Sequence, residues 1–237
     1  MHGDGQMLEV KQLELQQGSF RMTCDFRIEP ESRVAVIGPS GAGKSTLLMA
    51  LAGFLEPVQG AVVWSGSDIT NSKPSERPFA VLFQDNNLFP HMNIEQNVGL
   101  GLRPSLRLTL EEKKRVCDAL GAVGLADMGS RKPSEMSGGQ QSRAALARVL
   151  LQDKAMILLD EPFAALGPAL KIEMLDLVAD LCAQTGAGLM MVSHAPNDAE
   201  RLCDQAILVA DSMAHPPVAT SELLSNPPPA LRAYLGT

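Results

Sequence analysis

The chain has 237 residues, 45% of them hydrophobic and 20% charged, with a formal net charge of −7. Length and composition describe one large globular domain or two closely fused ones, with a core that needs neither metal nor disulfide, and they argue against intrinsic disorder. The acidic balance argues against a nucleic-acid binder, which rests on clustered Lys and Arg.

Cys24, Cys117, Cys182 and Cys203 are far apart and form no CxxC pair, so free thiols in a reducing compartment are expected. No apolar stretch reaches the roughly 18 residues of a membrane span. Met1 to Met7 lacks the apolar region of a signal peptide, and the residues before Met7 read as a loose extension.

In chain order, the segments around Leu8 to Leu15, Phe20 to Ile28 and Ala61 to Trp64 read as strands of an antiparallel edge. Val34 to Ile37 is an apolar run ending in a glycine-rich turn, and Ser45 to Ala52 reads as a helix stopped by Gly53. From about Asn93 to Leu151 no buried-strand run occurs. Two reciprocally capped helix starts do, Thr109 with Glu112 and Ser137 with Gln140, and the charges from Glu111 to Arg115 read as a solvated helix face. That stretch is expected to be a helical insertion.

Ala155 to Leu159, Leu189 to Val192 and Ala206 to Ala210 are apolar without alternation, as strands covered on both faces of a parallel sheet require. Between them Pro168 opens a helix in which Leu170, Met174, Leu177, Val178 and Leu181 recur at helical spacing, with Gly186 at its end. Pro216, Pro217 and Pro227 to Pro229 mark loops around a short helix after Ser221. Buried strands alternating with helices predict an α/β fold.

Gly38, Pro39, Ser40, Gly41, Ala42, Gly43, Lys44, Ser45 and Thr46 fit G-x-x-x-x-G-K-[ST]. The glycines let successive backbone N–H groups turn inward around phosphate oxygens and the following helix presents its positive end. Lys44 can then reach the β and γ phosphates and Ser45 can ligate Mg2+. An ordinary glycine-rich turn is the alternative, and placement between a strand and a helix favours the phosphate loop. Asp160 and Glu161 follow the Ala155 to Leu159 run directly, which puts two carboxylates at the C-terminal edge of the sheet, where ligands of α/β folds sit. Asp160 can hold Mg2+ while Glu161 orients or deprotonates a water.

Ser137, Gly138, Gly139 and Gln140 make an odd helix start, because each glycine within a helix costs about 1 kcal/mol against alanine. Something must approach that backbone closely, and an anion at the helix N-terminus is the natural candidate. Gln84 ends the apolar stretch Val81 to Phe83 and His194 ends the strand Met190 to Ser193, which puts both on the edge that carries the acids.

Taken together in this order and spacing, the Gly38 to Thr46 loop, Gln84, Ser137 to Gln140, Ile157 to Glu161 and His194 resemble the ATP-binding subunits of the ABC transporter family, over nearly the whole chain from Met7 to about Leu224. The resemblance implies an α/β, RecA-like P-loop nucleotide-binding core with an inserted helical subdomain (about 91–151) and an N-terminal antiparallel β subdomain. These form a single ABC ATPase domain over 7–232. It also implies ATP and Mg2+ as cofactors and a head-to-tail homodimer with ATP between one copy's phosphate loop and the other's Ser137, Gly138 and Gly139. By the same likeness Glu161 is the base, His194 holds the γ-phosphate and water, and Gln84 senses Mg2+ and reports to membrane subunits. Integral membrane permease subunits, an indirect periplasmic substrate-binding protein and a peripheral place on the cytoplasmic face of a bacterial inner membrane follow from it too. Leu82 to Phe89 and Gln96 to Leu102 are most similar to the thiamine-importer branch, which implies thiamine or thiamine pyrophosphate as cargo, with ferric iron, sulfate and polyamine as alternatives. A soluble, non-transport ABC ATPase and a weakly hydrolysing regulatory module stay open.

Three positions depart from the family pattern. Gly167 stands where Ala-Leu-Asp usually ends, Met136 replaces a leucine, and the adenine-stacking aromatic has only Phe20 as a candidate.

Overall fold

The computed structural model describes residues 7–85, 87–164 and 166–235; the expected N-terminal extension and Ala165 fall outside them. The elements run β1 (Leu8–Gln17), β2 (Phe20–Ile28), β3 (Arg33–Ile37), α1 (Lys44–Ala52), β4 (Gln59–Trp64), β5 (Ser67–Asp68), β6 (Phe79–Leu82), α2 (Ile94–Gly99), α3 (Leu110–Ala122), α4 (Gly138–Leu150), β7 (Met156–Asp160), α5 (Pro168–Thr185), β8 (Gly188–Val192), α6 (Pro196–Leu202), β9 (Gln205–Ala210), β10 (Met213–Ala214), β11 (Val218–Ala219), α7 (Thr220–Ser225) and α8 (Pro229–Leu235). The described strands form one 11-stranded sheet in the order β5-β4-β1-β2-β10-β9-β3-β8-β7-β6, with β11 paired to β9.

β1, β2 and β4 are the expected antiparallel part, extended by the two-residue β5, and β2 alternates buried and exposed positions as a half-covered strand should. β3, β6, β7, β8 and β9 are mutually parallel, and the three with continuous apolar runs, β7, β8 and β9, are almost entirely buried. The two parts are continuous, because the two-residue β10 lies parallel to β2 and antiparallel to β9. In the parallel part Val36 pairs with Val192, Val192 with Asp160 and Leu82 with Leu159. Every loop leaving those strands therefore emerges on one rim, and that rim carries the phosphate loop, Glu161, His194 and Gln84.

One sheet face packs against α4, α5 and α6 through residues such as Ile157, Met174, Val178 and Ala199. The other packs against α1 through Val34, Leu47, Leu48 and Met190. Helices α2, α3 and α4 share a third apolar cluster around Ile94, Val116 and Leu146's neighbours Ala144 and Ala147. This is the helical insertion, and both expected capping boxes are formed.

The structure adds what short patterns hid. Helix α2 was not foreseen, although Asn93 and Gln96 form a capping box of their own at its start. Asn97, fully buried, accepts from the Phe89 amide and donates to the carbonyls of Phe89, Met92 and Asn93, pinning the loop that leads in. In α5 the buried residues are Met174, Leu175, Val178 and Cys182, so the inward stripe lies slightly to one side of the expected one. The expected unit 7–232 stops inside α8.

Arg77 is 2% exposed and anchors α1 from behind. Its guanidinium donates to the carbonyls of Ala50, Leu51, Thr70 and Ser72, satisfying the C-terminal end of the helix whose N-terminus forms the phosphate loop. Gly53, left-handed at φ +86, ends α1 where a Cβ would lie 2.6 Å from Arg77.

Candidate functional site

The Gly38 to Thr46 segment links β3 to α1 as a tight loop, with the Ala42 amide donating to the Pro39 carbonyl. Two glycines are required by contact and conformation. A Cβ on Gly38 would lie 2.0 Å from the Val209 carbonyl oxygen of β9, and Gly43, at φ +102, would place one 2.5 Å from the Phe20 ring. Gly43 is the residue preceding α1; no side chain caps the helix and no acid sits in its first turn. Bare N–H groups and the macrodipole therefore favour an anion there.

Lys44 is 5% exposed and its Nζ donates to the carbonyls of Gly38 and Pro39, both at 2.8 Å. Burial lowers its pKa, against the opposing pull of Glu161 and Asp160. Ser45, one residue on, donates its hydroxyl to Asp160 Oδ1 at 2.9 Å. Two hard oxygen donors thus sit side by side at the mouth of the loop, a pairing that suits Mg2+, which takes one or two protein oxygens and completes its shell with phosphate and water. Burial raises the Asp160 pKa and the neighbouring Glu161 charge adds to it, with Ser45, Lys44 and His194 offsetting part. A carboxylate held in this way gains most from a cation.

Glu161 leaves β7 with φ +47, a left-handed conformation uncommon for a residue with a side chain, and its amide donates to the Val192 carbonyl. The turn swings its carboxylate toward the end of β8, where Oε1 lies 2.5 Å from His194 Nε2. Phe20, Gln17, Lys44, Ser45, Glu161 and His194 line a common cavity of about 330 Å3. That cavity brings together the loop, a carboxylate, an imidazole and one aromatic ring, so Phe20, expected only as a candidate, stands at its wall. Gln17 was not foreseen, being one polar residue at a strand end with no motif around it.

Gln84 is exposed two residues beyond β6, on the same rim, and is not among the residues lining the cavity. Ser137 to Gln140 are not among them either. Ser137 caps α4 by accepting from the Gln140 amide, while the Gln140 side chain accepts from the Ser137 amide. The two glycines divide: a Cβ on Gly139 would meet Leu170 of α5 at 2.2 Å, whereas Gly138 is exposed and faces open space. The close approach at Gly139 is thus to Leu170 within the chain, while Gly138 faces open space. Gly167 precedes α5 at φ −65 with no side-chain cap, and a Cβ there would meet nothing within 4 Å. Met136 is buried in the cluster of the helical insertion, as a leucine would be.

The profile described as ABC transporter matches residues 22–164. The chain belongs to the ABC transporter family. Among curated ABC relatives, the thiamine import ATP-binding protein ThiQ of Ruegeria sp. (strain TM1040) is 55% identical over 97% of this chain and 100% of its own length. ThiQ of Salmonella paratyphi A (strain ATCC 9150 / SARB42) is 47% identical over 86% of this chain and 87% of its own. The fold matches that of a nucleotide-free ATP-binding cassette from an ABC transporter, with a TM-score of 0.85 at 23% identity over 98% of this chain and 100% of that one. A second ATP-binding cassette in its ADP conformation, MJ1267, gives 0.86 at 24% identity over 98% and 99%. The α/β ABC ATPase architecture expected from the motifs is thus the one observed. No helix among the described residues is long and apolar enough to cross a membrane.

Proposed function

We propose that this chain is the ATP-hydrolysing motor of an importer for thiamine or thiamine pyrophosphate. The observation that carries the reading is the convergence on one rim of an uncapped helix N-terminus, Lys44, the Ser45–Asp160 pair and the Glu161–His194 pair. The cargo is taken from the thiamine import relatives.

Loop amides from Gly41 to Thr46 cradle the phosphates, and Lys44 exchanges its two loop carbonyls for phosphate oxygens. Phe20 offers its ring to the adenine. Ser45 and Asp160, with Gln84 at the rim, would hold Mg2+, which would supply neutralisation of phosphate charge. Glu161 accepts a proton from the attacking water, and His194, in direct contact with the carboxylate, steadies it and holds the γ-phosphate and water.

A second copy is needed to complete the site, since Ser137 and Gly138 are exposed and absent from the cavity wall of their own chain. Together with Gly139 they cover the γ-phosphate bound by the partner copy, head to tail. Closure moves exposed Gln84 and pulls on integral membrane permease subunits, which places the chain peripherally on the cytoplasmic face of the inner membrane and links it indirectly to a periplasmic binding protein. Residues 7–232 act as one domain.

Glu161→Gln is expected to lower turnover at least about a hundredfold while ATP binding persists and a closed dimer accumulates. Turnover equal to the parent would remove Glu161 from the chemistry. Uptake of labelled thiamine by cells with and without the chain tests the cargo, and equal uptake would refute it while leaving the motor intact.

A further inference from the structure

Helix α8 reaches into the site from a direction that no motif marks. Leu231 is 0% exposed and pins the helix to the core. Tyr234, three residues later, falls on the same face, so the anchor that fixes α8 also fixes the tyrosine ring. The phenol donates to the backbone carbonyl of His194 at 2.8 Å, and its oxygen lies 3.0 Å from His194 Nδ1. One side chain therefore grips both the main chain and the ring of the same histidine.

The proton count decides what this grip does. A phenol carries one hydrogen, and here it is committed to the carbonyl. The contact with Nδ1 is then a hydrogen bond only when Nδ1 bears a hydrogen and donates it to the phenol oxygen. Nε2 faces Glu161 Oε1 at 2.5 Å, a contact between a ring nitrogen and a carboxylate oxygen that needs a second hydrogen between them. Burial raises the Tyr234 pKa and the Glu161 charge raises it further, so the phenol stays neutral and keeps its donor.

We propose that Tyr234 is a positioning residue for hydrolysis: it keeps a hydrogen on His194 Nδ1 and so aims Nε2, with the separate hydrogen that Nε2 shares with the carboxylate, at Glu161. Which ring nitrogen of a histidine works is set by the bond the other one makes, and this bond comes from the C-terminal helix. The inference rests on the role given to His194 above. The simpler account, that Tyr234 only packs α8 on the core, makes different predictions.

Tyr234→Phe keeps the ring and its packing and removes only the oxygen. In the full chain assembled with its membrane partners, kcat for ATP hydrolysis is expected to fall about tenfold with KM for ATP unchanged. The chain has four histidines, so 15N-histidine NMR resolves His194, whose signals should move away from the Nδ1–H pattern. In a His194→Ala background, Tyr234→Phe should remove nothing more. A further loss in that background would show a packing role and overturn the proposal. So would parental kcat with a parental 15N pattern, or a change confined to KM. If His194→Ala alone left hydrolysis intact, the role of His194 would fall, and the 15N pattern would still decide whether Tyr234 sets the ring.

Discussion

Asp160 carries a charge that the fold around it disfavours. Burial and the adjacent Glu161 raise its pKa, so the ionised form is the disfavoured one in the folded chain. For an acid shifted upward, the sign is that stability falls as pH rises through the folded value and is recovered on acidification. Asp160→Asn keeps an oxygen to accept from Ser45 and removes the charge. We expect the variant without ligand to melt at a higher temperature than the parent at neutral pH, with the gap closing as pH falls through the carboxylate range. Added ATP and Mg2+ should raise the parent's melting temperature and leave that of the variant nearly unmoved. A lower melting temperature for the ligand-free variant at neutral pH would contradict the assignment. At this scale the sequence was most readable where residue type and spacing both encode chemistry, as from Gly38 to Thr46. Tyr234 was unreadable because its role depends on where a helix beyond a proline-rich loop comes to rest.

Among elements, α1 and α3 are held by opposite devices. α1 has an uncapped start and a finish satisfied by buried Arg77. Arg77→Met removes donors to four carbonyls and is expected to cost about 3 kcal/mol in urea unfolding, since buried acceptors lose partners that water replaces poorly. A change under about 1 kcal/mol would mean that those carbonyls find other donors. α3 begins with Thr109 and Glu112 bonded reciprocally, and Glu112 also meets Arg103. The backbone bond to Thr109, then Arg103, hold the Glu112 carboxyl below its ordinary range. A depressed acid contributes stability above its unfolded value and loses it as pH falls through the folded one. Amide exchange in the first turn of α3 should therefore accelerate on acidification, relative to exchange in the last turn. Glu112→Gln, which keeps an acceptor for the Thr109 amide and removes the charge, should abolish that dependence. The capping boxes of α3 and α4 were visible in sequence because each joins four consecutive residues, whereas that of α2 was missed. β10 and β11 were not, since two residues have no periodicity and owe their pairing to distant strands.

Over the whole molecule, the parallel strands declared themselves as long apolar runs, and their common direction was enough to bring Glu161 and His194 to one rim. Where Ser137 to Gln140 lie was legible only in the fold, which leaves Ser137 and Gly138 exposed and none of the four among the residues lining the cavity. Packing also separates the cysteines. Burial pushes Cys24 and Cys203 up to about 12 and Cys182 up to about 11, while Cys117 is exposed on α3. Iodoacetamide should label Cys117 alone in the native protein, seen as one mass increment, and all four after denaturation. Early labelling at Cys182 or Cys203 would indicate opening of the α5–α6 side. Finally, the left-handed backbone at Glu161 sets ruggedness against work: glycine or asparagine would sit there more comfortably. A library selected for heat tolerance alone should drift toward those residues at 161, and its hardiest members would be idle.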